Sequence, residues 1–272
     1  MNIIQDFDTA QAFASSWNNL RAGSIYTKDQ VCDWFLPLEK NDIEGKTILE
    51  LGCGNASLLL HILDWAPRYA VGVDLGDSVI SAMANVGGYD NCKIIKADIT
   101  NFRSEGYDVV YCIGVIHHLK VPRDGFESVI KNTKKGGKFH MWVYAREGNA
   151  LIIYIVDPIR KITSKLPWFI TKYLVATPLA IPFYIYAKLI RYLKGISIFK
   201  HLPLYQYGLW ISDREFVFFQ HVAFDQLVTP QTTYISKEVI VDWLKSMPEI
   251  DQSSTYVIMR NGNSWKFGGV VN

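Results

Sequence analysis

Between residues 46 and 144 the apolar positions fall into short runs separated by longer stretches of helical spacing. Runs at 47–51, 69–73, 92–96, 107–113 and 138–144 have strand length. Strand and helix in regular turn predict a mostly parallel sheet. The first unit is explicit: Thr47-Ile48-Leu49-Glu50-Leu51 stops at Gly52-Cys53-Gly54, and the segment from Ala56 to Trp65 has helical length and halts before Pro67, which cannot continue a helix. Further on, Pro122-Arg123-Asp124-Gly125 opens a helix to about Lys134, and Lys135-Gly136-Gly137 turns into the fifth run.

The flanks follow other patterns. Residues 1 to 45 are expected to be helical, with Phe7, Phe13, Trp17 and Leu20 on one amphipathic face and Val31, Trp34, Phe35 and Leu38 on a second, before a turn at Glu44-Gly45,. After 144 the alternation lapses. Residues 151 to 200 hold eight basic residues (Arg160, Lys161, Lys165, Lys172, Lys188, Arg191, Lys194, Lys200) against the single acid Asp157, amid dense aliphatic and aromatic side chains. Their longest uncharged run, Tyr173 to Ala187, has 15 residues and two prolines, Pro178 and Pro182; a spanning helix needs about 20, so no membrane crossing is expected. A helix from Ser236-Lys237-Glu238, with Val239, Ile240, Trp243 and Leu244 inward, precedes strands at about 252–260 and 264–271 across the hairpin turn Asn261-Gly262-Asn263,.

Composition narrows this little. With 272 residues, 49% hydrophobic and 14% aromatic, the chain has ample material for a core, and a net charge of +2 is too small to argue for nucleic acid,. Four cysteines at 32, 53, 92 and 112 show no CxxC or metal spacing,; they are expected to be reduced thiols, in a cytoplasmic protein. The segment MNIIQDFDTAQAF carries acids and does not look like a secretion signal,.

Candidate chemistry gathers at the glycine turn. Without a Cβ, such a turn takes positive φ and lets a ligand lie against backbone N–H groups where the helix begins. Asp74 stands twenty-four positions after Glu50, and Asp98 twenty-four after Asp74, so three strands each bring a carboxylate to the same edge. An acid about 20 residues past a glycine turn is where doubly wound folds hold ribose hydroxyls, which fits Asp74. The third glycine of the dinucleotide fingerprint is replaced by Ser57. Glu50 would repel a pyrophosphate and welcome a sulfonium or ammonium. Both features count against a nucleotide-dependent oxidoreductase or epimerase.

The stretches ILELGCGN, VGVDL, IKADI and YDVVYCIGVIHHL resemble the successive motifs of class I S-adenosylmethionine-dependent methyltransferases, over roughly residues 45 to 145. The resemblance implies an α/β, Rossmann-like, mostly parallel sheet closed by a C-terminal antiparallel hairpin. The chain then divides into a helical cap at 1–45, a cofactor domain at 46–149 and 236–272, and a helical insertion at 150–235. It implies S-adenosylmethionine as cofactor, held by Glu50, Gly52, Cys53, Gly54, Asn55, Asp74, Leu75, Asp98, Ile99 and Ile113, with Arg21, Tyr26 and Gln30 reaching the cofactor's carboxylate from the cap.

Methyl transfer from a sulfonium expels a neutral thioether, so the protein must chiefly align two molecules and remove one proton. His117 or His118, just after the fourth strand, is the first candidate base and His221 the second,. Asp225 and Tyr234, and more weakly Tyr144, Arg146 and Glu147, are substrate-side candidates; His61 and His140 are expected to be structural. No metal is expected.

The CIGVIHHL stretch resembles small-molecule enzymes of quinone, sugar and natural-product pathways, and the Asn-Pro-Pro-Tyr signature of amide N-methyltransferases is absent. The expected acceptor is a small or lipid-linked molecule, most simply at an oxygen, and no nucleic acid partner is expected. The insertion is expected to be a helical lid. Its basic and aromatic composition suits peripheral membrane contact through 150–200, and the competing reading packs those aromatics into the lid's own core or a homodimer interface. A catalytically silent cofactor-binding module docking on a membrane or partner is the alternative from another class.

Overall fold

A computed structural model describes residues 7–12 and 26–272. The positions Phe13, Trp17 and Leu20 of the first expected face, and the candidate Arg21, lie outside the described residues. The chain forms two compact units, one of 1–143, 237–258 and 265–272 and a second of 144–236 and 259–264.

A seven-stranded sheet, most of which belongs to the first unit, comprises β1 (Thr47–Leu51), β2 (Tyr69–Asp74), β3 (Cys92–Lys96), β4 (Tyr107–Ile113), β5 (Thr133–Tyr144), β6 (Tyr256–Arg260) and β7 (Ser264–Val270), in the order β3-β2-β1-β4-β5-β7-β6. β1 pairs in parallel with both β2 and β4, and the C-terminal hairpin is antiparallel. Strand order therefore reverses beside β1, and a crevice at the carboxyl ends of β1 and β4 is where doubly wound sheets bind ligands. Ile48, Leu49 and Leu51 are fully buried, which is why β1 reads as an unbroken apolar run.

Around the sheet run α1 (Lys28–Phe35), α2 (Lys40–Ile43), α3 (Ser57–Leu63), α4 (Ser78–Asn85), α5 (Pro122–Asn132) and, late in the chain, a helix at Lys237–Lys245. Thr27 caps α1, its Oγ1 accepting the Gln30 N–H at 3.3 Å,. Val31, Trp34, Phe35 and Leu38 are buried in one core with β1, α3 and Tyr111.

His140 joins this packing to the hairpin strand. Its Nε2–H donates to the Trp34 carbonyl at 2.8 Å, so Nδ1 must accept from the Tyr256 hydroxyl at 2.7 Å,. Burial brings its pKa down to about 4 against the pull of the Trp34 bond, with nearby Lys266 adding to the depression. His140 is a structural histidine in the neutral form.

Two boundaries differ from those expected of the sequence. The glycines at 136 and 137 interrupt β5 instead of preceding it: Thr133 already pairs with Tyr107, and after the irregularity Lys138 pairs with Val109. The bulge survives because its backbone is bonded elsewhere, Gly136 N–H to Val271 O at 2.7 Å and Val271 N–H to Gly137 O at 3.0 Å,. At the hairpin, residues 252–254 form a 3₁₀ turn closed by the Asp251 carboxylate, which accepts from Ser253 N–H at 3.0 Å, so β6 begins only at Tyr256.

The second unit is helical: α6 (Asp157–Thr163), α7 (Thr177–Tyr192), α8 (Tyr205–Ile211) and α9 (Phe216–Val228). α6 and α7 each continue from a wider stretch, at Ile152–Val156 and Ile170–Ala176, in which the Asp157 and Thr177 N–H groups reach back five residues, to Ile152 O and Lys172 O. Pro158 and Pro178 follow those two residues. A proline ring crowds the carbonyl four residues earlier and offers no N–H, which accounts for the widening. Ala176, at the end of the wide stretch, packs with Phe224, and Ala180 and Ala187 of α7 pack with Phe219 and Ile211.

Beside that core Arg160 is 1% exposed. It donates to Gln226 O at 2.6 Å, Asp157 Oδ1 at 2.7 Å, Gln226 Oε1 at 2.8 Å and the Tyr234 hydroxyl at 3.1 Å. Gln226 in turn donates to the Tyr144 hydroxyl at 2.8 Å.

Candidate functional site

β1 ends because its next two N–H groups, of Gly52 and Cys53, both turn to the Val73 carbonyl, at 2.7 and 3.0 Å. The turn then passes through left-handed backbone, φ +84° at Gly52, +54° at Gly54 and +65° at Ala56. The two glycines serve different purposes. A Cβ on Gly52 would lie 2.4 Å from a Val115 methyl, whereas one on Gly54 would meet nothing within 4 Å. Gly52 lets the loop after β4 come close, and Gly54 leaves backbone facing open space, the cradle a ligand needs. Asn55, buried, steadies the exit by accepting from Ser57 N–H and Oγ, at 3.1 and 2.7 Å.

Asp74 ties the turn to the end of β2. One carboxylate oxygen accepts from Gly54 N–H at 2.9 Å; the other accepts from Gly76 N–H at 2.9 Å and Ser78 Oγ at 3.3 Å. Burial raises its pKa above the ordinary carboxylate value, and the Gly76, Gly54, Ser78 and Leu75 donors pull the other way.

Glu50 lies beneath the turn, 2% exposed. Its one hydrogen-bond donor among the described residues is the Tyr111 hydroxyl, at 3.3 Å from Oε2. Burial pushes its pKa up to about 8, the Tyr111 bond resists, and the charge of Asp74 adds to the rise. Left alone, this carboxyl keeps its proton at neutral pH; a cation nearby would release it.

Asp98 uses its carboxylate locally, accepting from Thr100 N–H at 2.8 Å, Thr100 Oγ1 at 2.7 Å and Asn101 Nδ2 at 2.9 Å. This turn orients the chain after β3. The carbonyl of buried Ile99 accepts from Ser128 Oγ at 2.5 Å. Cys53 is buried and its thiol is held protonated, chiefly by burial and then by the charges of Asp74 and Glu50. Leu75 and Ile113 are half-buried. Tyr26 sets its ring edge-on to Trp34, 4.7 Å between centroids, and accepts the His61 ring at its carbonyl at 3.1 Å; Gln30 is buried on α1.

His117 and His118 follow β4 in a 3₁₀ turn, both buried. Their rings lie 4.2 Å apart, and His117 stands edge-on to Trp142 at 6.0 Å. His221 is carried by the second unit, on α9, with Nε2 3.2 Å from Asp225 Oδ2. Tyr234 and Tyr144 stack there at 6.2 Å, both joined to the Arg160 network.

The sequence reading missed Tyr111, Gly76, Ser78 and Trp142. For Tyr111 a signal existed: it pairs with Glu50 across β1 and β4, a relation that follows once those strands are taken as neighbours. Among the described residues no three His, Cys, Asp or Glu side chains gather as a metal set.

The open backbone at Gly54, the buried acid beneath it and the strand-end Asp74 fit a ligand with a cationic centre and hydroxyls. Residues 49–139 match the family model described as a methyltransferase domain. A ubiquinone biosynthesis O-methyltransferase of Hydrogenovibrio crunogenus is 32% identical over 108 residues, covering 38% of this chain and 42% of that protein. A tRNA U34 carboxymethyltransferase of Desulfotalea psychrophila is 26% identical over 107 residues, covering 37% and 33%. The chain thus spans less than half the length of these curated relatives. Among solved structures, the magnesium protoporphyrin IX methyltransferase of Synechocystis PCC 6803 with bound SAH superposes with a TM-score of 0.51 at 12% identity, covering 94% of this chain and 86% of that one. At that identity the likeness shows a shared fold.

Proposed function

We propose that the chain, whose residues 49–139 match the methyltransferase-domain model, uses S-adenosylmethionine to transfer a methyl group to an oxygen of a small or lipid-linked acceptor. The observation that carries the reading is the cradle at Gly54 above buried Glu50. The cofactor supplies the electrophilic methyl on its sulfonium. Glu50 balances positive charge, Asp74 holds hydroxyls at the end of β2 while fixing the turn through Gly54 and Gly76, and the turn's backbone lies against the ligand. One of His117 and His118, which follow β4 in a 3₁₀ turn, removes the acceptor's proton.

The oxygen assignment is supported by the buried pair of imidazoles that follows β4, since a hydroxyl acceptor needs a base and a tertiary amine does not. The name of the Desulfotalea relative raises tRNA as a competing acceptor.

Labelled S-adenosylmethionine incubated with the protein and, separately, a lipid and metabolite extract or bulk tRNA distinguishes the readings. Label in the extract is the expected outcome, and label in the tRNA alone overturns the acceptor. Calorimetry should show binding of S-adenosylmethionine and none of NAD. Once an acceptor is in hand, His117→Asn and His118→Asn should differ, the correct one lowering turnover by roughly 10²-fold with cofactor affinity near normal. Full activity in both variants removes the pair from catalysis.

A further inference from the structure

The second unit carries a surface that methyl transfer leaves unexplained. The helix from Ile170 to Tyr192 runs 23 residues and is apolar throughout much of its length. Its alanine face packs inside the unit. On the opposite face Leu174, Ile181, Ile185, Leu189 and Tyr192 are exposed, Leu174 by 71%, Ile185 by 60% and Tyr192 by 87%. Ile181, Ile185 and Tyr192 are four and seven residues apart, the spacing of one helical stripe. At the start of the helix Trp168, Phe169 and Tyr173 are also about half exposed. Lys172 reaches over that cluster, its Nζ 6.0 Å from the Trp168 ring centre and 5.7 Å from that of Tyr173.

Charge identifies what covers this face. Asp157, the lone acid of 151–200, is paired internally with Arg160. Lys161, Lys165, Lys194 and Lys200 are exposed. A second copy meeting the same face would bring two sets of these lysines onto one interface. A surface of lipid phosphates complements them, and its apolar boundary accepts the aliphatic stripe, with Trp and Tyr at headgroup depth.

We propose that the exposed face of the Ile170–Tyr192 helix, with the Trp168 cluster and the flanking lysines, seats on the surface of an anionic lipid bilayer. The helix lies in the interface and does not span. Its other face is occupied by the unit's own core, and Lys188 is bound to the carbonyls of Ser212 and Arg214. The inference rests on the second unit's own surface and stands or falls apart from the methyl-transfer reading.

The test is flotation of the full chain with vesicles of phosphatidylcholine alone or mixed with phosphatidylglycerol. Binding to the mixed vesicles, reduced by salt and weak to the neutral ones, is expected. Lys161→Glu, Lys165→Glu and Lys194→Glu combined should weaken partitioning by roughly 10²-fold, at about fivefold per basic residue near the surface. Ile181→Asn with Ile185→Asn, at exposed positions, should also weaken binding while circular dichroism and melting stay unchanged. Recovery in the unbound fraction with both vesicle types overturns the proposal, as does equal binding by the variants or to neutral vesicles. A concentration-dependent mass in light scattering without vesicle binding assigns the face to a second copy instead.

Discussion

Glu50 and Arg160 are shut away from water to the same degree, 2% and 1% exposed, and their surroundings are opposites. Arg160 has four hydrogen bonds, one to a carboxylate. Glu50 has one long bond from a neutral hydroxyl and a like charge nearby in Asp74. A buried ion costs several kcal/mol unless partners replace its water. Arg160 has its partners inside the fold and is part of the second unit's framework. Glu50 lacks them and responds by holding a proton, which leaves it ready for a cation from outside. Burial alone therefore says little about function; the supply of partners separates the structural charge from the one that binds.

That contrast predicts the largest effect at Arg160. Arg160→Met strips Asp157, Gln226 and Tyr234 of their common donor and should lower unfolding stability by about 3 to 5 kcal/mol in denaturant titration. Glu50→Gln should leave stability the same or higher, because an amide replaces a carboxyl that burial already keeps neutral. If both variants lose stability alike, Glu50 is structural too and the contrast fails.

Asp74 comes next, being bonded both to the turn and, in the proposed function, to the cofactor. Asp74→Ala should cost about 1.5 to 3 kcal/mol of cofactor binding for the charged hydrogen bond, measured by calorimetry. Unchanged affinity removes Asp74 from the site.

The smallest effect is the most specific to Glu50. With its pKa at about 8 in the free protein, a bound cation that favours the ionised form must release the proton. Affinity for S-adenosylmethionine should then rise with pH towards about 8, by at most about tenfold per unit, and level off above it. Glu50→Gln should flatten the slope. Stability of the unliganded protein has the reverse sign. The folded state keeps the Glu50 proton up to about 8 while the unfolded chain releases it near 4.5, so this contribution is full below pH 4.5 and is lost as pH rises to 8. His140 acts oppositely, being neutral in the fold down to about 4, so its contribution is lost as pH falls from 6.5. Chemical unfolding between pH 6.5 and 8 should show this fall in stability in the wild-type protein and a smaller one in Glu50→Gln.

Much of the first unit was legible in the sequence because its signals are local. The apolar runs became β1 to β5, and the two-glycine stop became a turn with positive φ at Gly52 and Gly54. The even spacing of Glu50, Asp74 and Asp98 reflects the length of one βα unit. The misplaced edges were tertiary in origin: the bulge at Gly136-Gly137 exists because Val271, more than a hundred residues away, bonds to it. Composition drew attention to the second unit through its one-sided charge, but it could not say which cations were surface and which were framework.

The sequence by itself determined the order of strands and helices, the glycine turn and the residue types at the carboxyl edge, since each depends on a few consecutive residues. Only the tertiary structure decided what the charged groups do. Neither Glu50's single donor nor Arg160's bonds to Gln226 and Tyr234 are a property of neighbouring positions. Tyr111 lies 61 residues from Glu50 and Gln226 lies 66 from Arg160, and a buried charge takes its character from the groups that folding brings to it across such distances.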